Sequence, residues 1–223
     1  VTLDAVRHII KGLFSFSTLH IRIFGRFNMH LFLHKCHLSI VATLLLIVPS
    51  TLPAEDIDEL LLQRSTTYRE VIRLLTQQRY AEALEPAKQV LYLSEQAYGA
   101  FATELVAPLT DLAAVQVYNY DYLAARESAT RAISIIERNR GLLASELIMP
   151  LHWLAQTYLK AGEYRLGEKA LLRGLRINHA SQGFYNLDQI AIHDELSETY
   201  LALSDLDKAN FHQKIQIDFA EYT

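Results

Sequence analysis

The sequence predicts an all-α fold of stacked helical hairpins, and three observations predict it. A block of 42 residues recurs along the C-terminal three-quarters of the chain. Apolar residues inside each block follow the period of a helix, and a glycine closes each block. The step is shared by Tyr80, Tyr122, Tyr164 and Leu206, by Ala83, Ala125, Gly167 and Ala209, by Leu112, Leu154 and Leu196, and by Gly99, Gly141 and Gly183. Such a period indicates a repeat architecture that offers a surface to partners.

The first helix of a block is clearest in residues 142–183. Leu147, Leu151, Leu154, Ala155 and Tyr158 fall at i, i+4, i+7, i+8 and i+11 and therefore share one face of a helix. The segment 160–163 ends this helix. In the block 100–141, Pro108 falls in the first turn, as Pro150 does here, where a missing N–H costs little.

The second helix of the block begins near Tyr164 and ends before Gly183. Its predicted inner face is small and apolar, with Gly167, Ala170 and Leu171 at its start. A left-handed cap suits the glycine that follows. The unit is a helical hairpin, and the preceding segment from Ile57 to Gln78 is predicted to be a capping helix.

The motif Leu151-x-x-Leu154-Ala155-x-x-Tyr158, followed by Gly162-Glu163-Tyr164, resembles the tetratricopeptide repeat (TPR). The 42-residue length is similar to that of the longer repeats of kinesin light chains and their bacterial relatives. The resemblance covers about residues 79–223, with a degenerate first helix at 56–78. It implies a right-handed α-solenoid of about four antiparallel hairpins, whose first helices line a concave groove that binds proteins or peptides.

Projection of the repeat onto that fold gives the candidate groove residues. They are Tyr68, Thr110, His152, Trp153, Gln156, Asp194 and Glu198. The alternative is an ordinary solvated helix face, and Trp153, the single tryptophan, is also explained by packing. Because none of these side chains is lysine or arginine, we expect no clamp for a partner's terminal carboxylate. A basic or neutral segment is the expected ligand.

Charge is unevenly distributed along the chain. Residues 1–54 carry five Lys or Arg and one acid, whereas the remainder has 16 bases and 24 acids. An acidic folded part argues against nucleic acid as a partner. The one cysteine, Cys36, lies outside the repeats, so residues 55–223 can form no disulfide.

Residues 29–54 are predicted to be a secretory signal peptide. Met29 opens the segment, an apolar core runs from Leu38 to Val48, and Ala54 is a small residue before the expected cleavage point. The alternative is an uncleaved anchor at 36–54, which would hold the protein in the inner membrane. Residues 1–28 are interpreted as a mis-called extension upstream of a true start at Met29, with an organelle presequence as the rival. The repeat domain is 55–223.

No catalytic, cofactor or metal motif is recognised. The sequence lacks a phosphate-binding glycine loop, a nucleophile elbow and a dinucleotide fingerprint. His193 has Ser197 rather than a second ligand four residues on, so His193 and His212 are predicted to be surface histidines. We expect no enzyme activity and no cofactor.

The predicted function is a non-catalytic interaction scaffold, periplasmic or secreted. Two alternatives stay open: a structural subunit of an envelope or secretion complex, and an accessory module of an enzyme encoded elsewhere. The last hairpin is expected to leave an apolar edge, which predicts self-association through the C-terminal end.

Overall fold

The computed structural model describes residues 54–184 and 186–221. Within these residues the fold is all-α, with eight α-helices and no strand. They are α1 (Ala54–Thr76), α2 (Tyr80–Tyr98), α3 (Val106–Tyr118), α4 (Tyr122–Arg140), α5 (Ile148–Lys160), α6 (Tyr164–Gln182), α7 (Gln189–Ala202) and α8 (Leu206–Glu221). None of these helices is both long enough and apolar enough to cross a membrane. The predictions for 1–28, for the signal core within 29–53 and for Cys36 lie outside the described residues.

The helices form four hairpins, α1–α2, α3–α4, α5–α6 and α7–α8, and each hairpin packs on the next. The block of 42 residues is reproduced in the helices, since α2, α4 and α6 each have 19 residues and α3 and α5 each have 13. A short 3-10 helix precedes α3 at Thr103–Leu105 and α5 at Ser145–Leu147. The predicted solenoid of antiparallel hairpins is confirmed.

The turn inside each hairpin repeats the same backbone geometry. Gln78, Tyr120, Gly162 and Ser204 are spaced by 42 and have φ values of 56°, 62°, 78° and 59°. Only one of them is glycine. The amide of the following residue donates to a carbonyl five residues earlier, as Asp121 does to Gln116 at 2.9 Å. This geometry is typical of a helix end that satisfies its last carbonyls, and it ends α1 before Gln78.

The loop between hairpins depends on glycine. Gly99, Gly141 and Gly183 have φ values of 84°, 94° and 86°, as predicted for the residues that end the second helices. Their ψ values lie at 164–174°, so they adopt an extended mirror conformation rather than the left-handed helical one expected. Side-chain-bearing residues reach that region at substantial cost, and this explains glycine at each position.

The core is built from contacts between neighbouring hairpins. Ile133 and Ile136 of α4 pack with Leu151 of α5 and Ile177 of α6. The repeat position of Gly167 lies where the two helices of a hairpin approach closely, because a Cβ added there would be 2.4 Å from Cδ2 of Leu159. Each hairpin therefore needs its neighbour to bury its apolar side.

The prediction that His193 and His212 are surface residues is wrong. Only 3% of His193 and 6% of His212 is exposed, and the two rings contact each other between α7 and α8. The reason is the repeat: His193 takes the core position of Leu109 and Leu151. Burial of a residue in a solenoid is set by its position in the block more than by its polarity.

Candidate partner-binding face

The predicted groove residues lie on the first helix of each hairpin. We call the surface formed by their positions on α1, α3, α5 and α7 the first-helix face. Tyr68 lies on α1, Thr110 on α3, and the remaining members on α5 and α7. Because α3 packs directly against α5, side chains from successive first helices can meet on this face.

Two contacts across the face share one register. The hydroxyl of Tyr68 donates to Oδ2 of Asp111 at 2.8 Å, across 43 residues. Nδ1 of His152 lies 3.1 Å from Oε1 of Glu195, again 43 residues apart. Successive first helices are thus tied together in two of the three steps along the face, from α1 to α3 and from α5 to α7. These side chains partly satisfy one another, which fixes their orientation before any partner binds.

Aromatic rings occupy the middle of the face. Tyr118 stacks on Tyr80 with ring centroids 3.9 Å apart, and Trp153 meets the edge of Tyr118 at 5.8 Å. His152 in turn contacts Trp153 at 5.0 Å. Tyr118 is exposed and Trp153 is half-buried. The cluster therefore packs partly on the protein and is still accessible to a partner. A surface depression of about 340 Å³ adjoins the stacked pair at the hairpin turn.

The end of the face on α7 is acidic. Asp194 and Glu198 are exposed, and Glu195 lies beneath them with its Oε2 buried and without a hydrogen-bond partner. Desolvation of a carboxylate oxygen without a donor is unfavourable.

The other half of the face carries a buried carboxyl group. Burial raises the pKa of Asp111, and the hydrogen bond from Tyr68 opposes that effect. The same environment raises the pKa of Tyr68 to about 12, through burial first and then through Asp111. The phenol of Tyr68 therefore stays neutral and remains able to donate this hydrogen bond over the neutral pH range.

The predicted groove residues differ in how much of each side chain is accessible to a partner. Thr110 is buried, and its hydroxyl donates to the carbonyl of Val106 in its own helix, so it offers nothing to a partner. Tyr68, His152, Trp153 and Gln156 are half-buried, with the first three in contacts across the face, while Asp194 and Glu198 are exposed.

Sequence reasoning missed Asp111, Tyr118, Met149 and Glu195. Met149 is exposed at the position of α5 that precedes His152 by one turn. The signal was available: contacts between successive first helices join a residue to the one 43 positions later, so Asp111 and Glu195 follow from Tyr68 and His152. A search at the 42-residue period alone cannot find them.

Among the described residues, no three His, Cys, Asp or Glu side chains gather as a metal would need. A second depression, of about 310 Å³, is lined by Glu137, Leu142, Leu143, Arg173, Arg176 and Ile177. Glu137 and Arg173 pair with each other there, so the group resembles a structural ion pair rather than an acid–base site.

The fold and this face define the class: an α-solenoid of TPR-like helical hairpins. The nearly identical TPR-like repeats of a kinesin light chain candidate from Podosopora anserina have a similar structure, with a TM-score of 0.63 and 17% sequence identity, over 71% of this chain and 75% of that one. BtubC (BKLC) from P. vanneervenii is similar with a TM-score of 0.53 and 14% identity, over 75% of this chain and 74% of that one. No protein-family model matches the chain, and a search of curated proteins also finds no match.

Proposed function

We propose that the chain is a non-catalytic protein-interaction scaffold whose first-helix face binds a basic segment that carries an apolar side chain. The observation that carries the proposal is the adjacency of two chemistries. Trp153 contacts His152, which contacts Glu195, so the aromatic cluster and the acidic end of the face adjoin. A peptide or a partner helix can contact both at once.

The two halves of the site have different physical roles. An aromatic side chain held by its neighbours contributes contact area with little loss of conformational entropy, which is why such residues dominate binding hot spots. Asp194 and Glu198 are exposed and act mainly on association rate and on the choice of partner. We expect affinity to fall with rising salt, because these charges are screened.

Trp153 is the only tryptophan of the chain and reports directly on this face. Its emission is measured during titration with two matched synthetic peptides that share one leucine and differ only in having lysines or glutamates around it. We expect the lysine peptide to bind and the glutamate peptide to bind at least tenfold more weakly.

Variants locate the binding. The double variant Asp194→Asn/Glu198→Gln should weaken the lysine peptide severalfold. The matched control, Glu127→Gln/Asp207→Asn, removes two exposed acids from the second helices α4 and α8 and should leave affinity unchanged. Equal binding of both peptides, or equal losses in the two variants, would contradict the proposal.

A second candidate function is self-assembly through α8, as in a structural subunit. Ile217 is 54% exposed, whereas the residues at its repeat position, Ile133 and Leu175, are 6% and 8% exposed because another hairpin covers them. A second copy of the chain would bury Ile217 in the same way. Light scattering over a range of concentrations tests this, and a strict monomer excludes it.

We also propose that the repeat domain is exported. The support is the apolar segment at 29–54 that ends where α1 begins, so cleavage near Ala54 would release the helices intact. Expression of the full chain in a bacterium, fractionation and N-terminal sequencing test this. Recovery of the uncleaved chain in the cytoplasm would contradict it.

A further inference from the structure

The last hairpin replaces two core residues of the repeat with histidine. His193 occupies the position of Leu109 and Leu151, and its exposed fraction of 3% is close to their 1% and 2%. The second histidine, His212, occupies the position that is Ala170 in α6. The substitution places two imidazole rings in the interface between α7 and α8, where the other hairpins have aliphatic or small side chains.

The two rings form a direct hydrogen bond. Nδ1 of His193 and Nδ1 of His212 are 2.7 Å apart, and the ring of Tyr200 stacks on His212 at 5.4 Å. A hydrogen bond between two Nδ1 atoms needs one nitrogen with a proton and one without. If both rings are protonated, both nitrogens carry a proton and a positive charge, and the contact becomes repulsive.

The surroundings of the pair favour neutral rings. Burial, then the charges that His212 and His179 would carry, lower the pKa of His193 to about 4. Burial also lowers the pKa of His212. Titratable and charged groups lie near the pair on three helices: His179 on α6, Tyr200 on α7, and Lys208 on α8, whose Nζ lies 4.9 Å from the ring centroid of Tyr200. The phenol donates to Glu168 of α6 at 2.8 Å, so that carboxylate is already engaged.

The last hairpin also lacks an ionic tie that the earlier ones have. Arg131 pairs with Glu95, joining α4 to α2, and Arg173 pairs with Glu137, joining α6 to α4. The corresponding residues for α8 and α6 are Ile215 and His179, which cannot form that pair. His179 contacts Gln189 instead, at 2.9 Å. The α7–α8 hairpin therefore lacks the repeated Arg–Glu pair that joins the second helices of the earlier hairpins.

We propose that the α7–α8 hairpin is an acid-operated element: protonation of the His193–His212 pair opens this hairpin locally while the second and third hairpins stay folded. A solenoid permits such local opening because each hairpin contacts only its neighbours. Opening exposes Leu171 and Leu175 of α6, which pack in the core cluster shared with α7 and α8. The element does not depend on the peptide-binding function proposed above.

The sign of the pH effect follows from proton uptake. An opened histidine has a pKa near 6.5 and the folded His193 one of about 4, so the opened hairpin binds more protons between these values. Opening is therefore favoured as pH falls below about 6.5 and gains nothing further below about 4. From pH 7.5 to 5.0, His193 alone should raise the opening equilibrium about 30-fold.

Hydrogen exchange read by mass spectrometry on the full chain measures this opening, with protection corrected for the intrinsic pH dependence of exchange. We expect protection in α7 and α8 to fall at least tenfold between pH 7.5 and 5.0, and protection in α3 to α6 to change much less. A uniform fall along the chain, or no fall in α7 and α8, overturns the proposal.

The variant His193→Leu/His212→Ala restores the residues of the preceding hairpin and should abolish the acid response of α7 and α8. The control, His152→Gln, removes a histidine from the first-helix face and should keep it. If the response survives in the double variant, the pair is not its cause. Proton NMR titration of the wild-type imidazoles decides the matter independently of that variant's folding, since ordinary pKa values near 6.5 for both His193 and His212 overturn the proposal.

Discussion

The guanidinium of Arg173 lies 2.5 Å from the carboxylate of Glu137, and this pair joins the second helices of two neighbouring hairpins. Arg131 and Glu95 make the same pair one block earlier. Both partners of the Arg173 pair are a little over one-quarter exposed, at 28% and 29%. A pair in that setting is screened less than a surface pair and joins residues that are distant in the chain.

A double-mutant cycle measures the coupling free energy between Arg173 and Glu137. Arg173→Ala, Glu137→Ala and the double variant are compared by urea unfolding, and we expect a coupling of about 1 kcal/mol. The matched control is the Lys88–Glu85 pair, which is 50% and 80% exposed and lies within one helix. Its coupling should be clearly smaller. Equal couplings would show that the repeated pair has no special role in joining the hairpins.

The hydrogen bond from Tyr68 to Asp111 predicts a pH-dependent loss of stability in Tyr68→Phe. Without the phenol, the buried carboxylate has lost its donor, so we expect the unfolding free energy to fall by about 1–3 kcal/mol at pH 7. Burial already raises the pKa of Asp111, so the folded protein binds this proton more tightly than the unfolded one. Loss of the hydrogen bond raises the pKa of Asp111 further in the folded variant. The penalty is therefore fully present above the variant's folded pKa of Asp111 and shrinks as pH falls through that value.

Denaturant unfolding of the wild type and Tyr68→Phe at pH 7 and pH 4 checks this difference. Tyr92→Phe is the control, because Tyr92 is exposed on α2. Its effect should be near zero at both pH values. A Tyr68→Phe loss that is the same at pH 4 and pH 7 would mean that Asp111 is not the group involved.

The fold was predictable because residues at equivalent positions of a repeat adopt the same secondary structure and pack in the same way. The positions of Tyr80, Tyr122 and Tyr164 begin three helices of equal length, and the block alone locates them. The site was less predictable, because contacts across the first-helix face depend on how far one hairpin is displaced against the next. That displacement gives the 43-residue register of Tyr68 and Asp111, which no pattern within one block contains.

The error at His193 has a different origin. The sequence test asked whether one helix carried two metal ligands one turn apart, and it did not. The partner, His212, lies on the other helix of the hairpin, 19 residues away. Comparison with Leu109 and Leu151 would have predicted burial, because equivalent repeat positions have equivalent surroundings.

The loop glycines give a prediction with a built-in control. Gly141 has a φ of 94° and nothing within 4 Å of an added Cβ, so backbone conformation alone requires glycine there. Gly141→Ala should destabilise the protein by about 1–3 kcal/mol. Gly174 lies inside α6 with the same open space and without the positive φ. Gly174→Ala should raise the free energy of unfolding by about 1 kcal/mol. Thermal unfolding should therefore give a lower Tm for Gly141→Ala and a higher Tm for Gly174→Ala.

The outer face of α8 combines one apolar residue with two polar ones. Ile217 keeps the apolar character of its repeat position, whereas Gln213 and Gln216 replace Leu171 and Gly174 of the preceding hairpin. Among the described residues no further hairpin covers this face of α8, and an uncovered outer face of a repeat is normally polar. Gln213 is exposed and partly supplies such a face, whereas Gln216 is half-buried and its Nε2 is enclosed.

Replacing the two glutamines of α8 by apolar residues should therefore enlarge its uncovered apolar face. We expect Gln213→Leu/Gln216→Ala to raise the mass of residues 55–223 measured by light scattering, because a second copy can then cover the enlarged apolar face. The control is Asp218→Leu, which adds one leucine at an exposed position of the same helix on the side away from Gln213 and Gln216. If both variants associate to the same extent, apolarity in general is the cause; if neither does, the glutamines are not what limits stacking at this end.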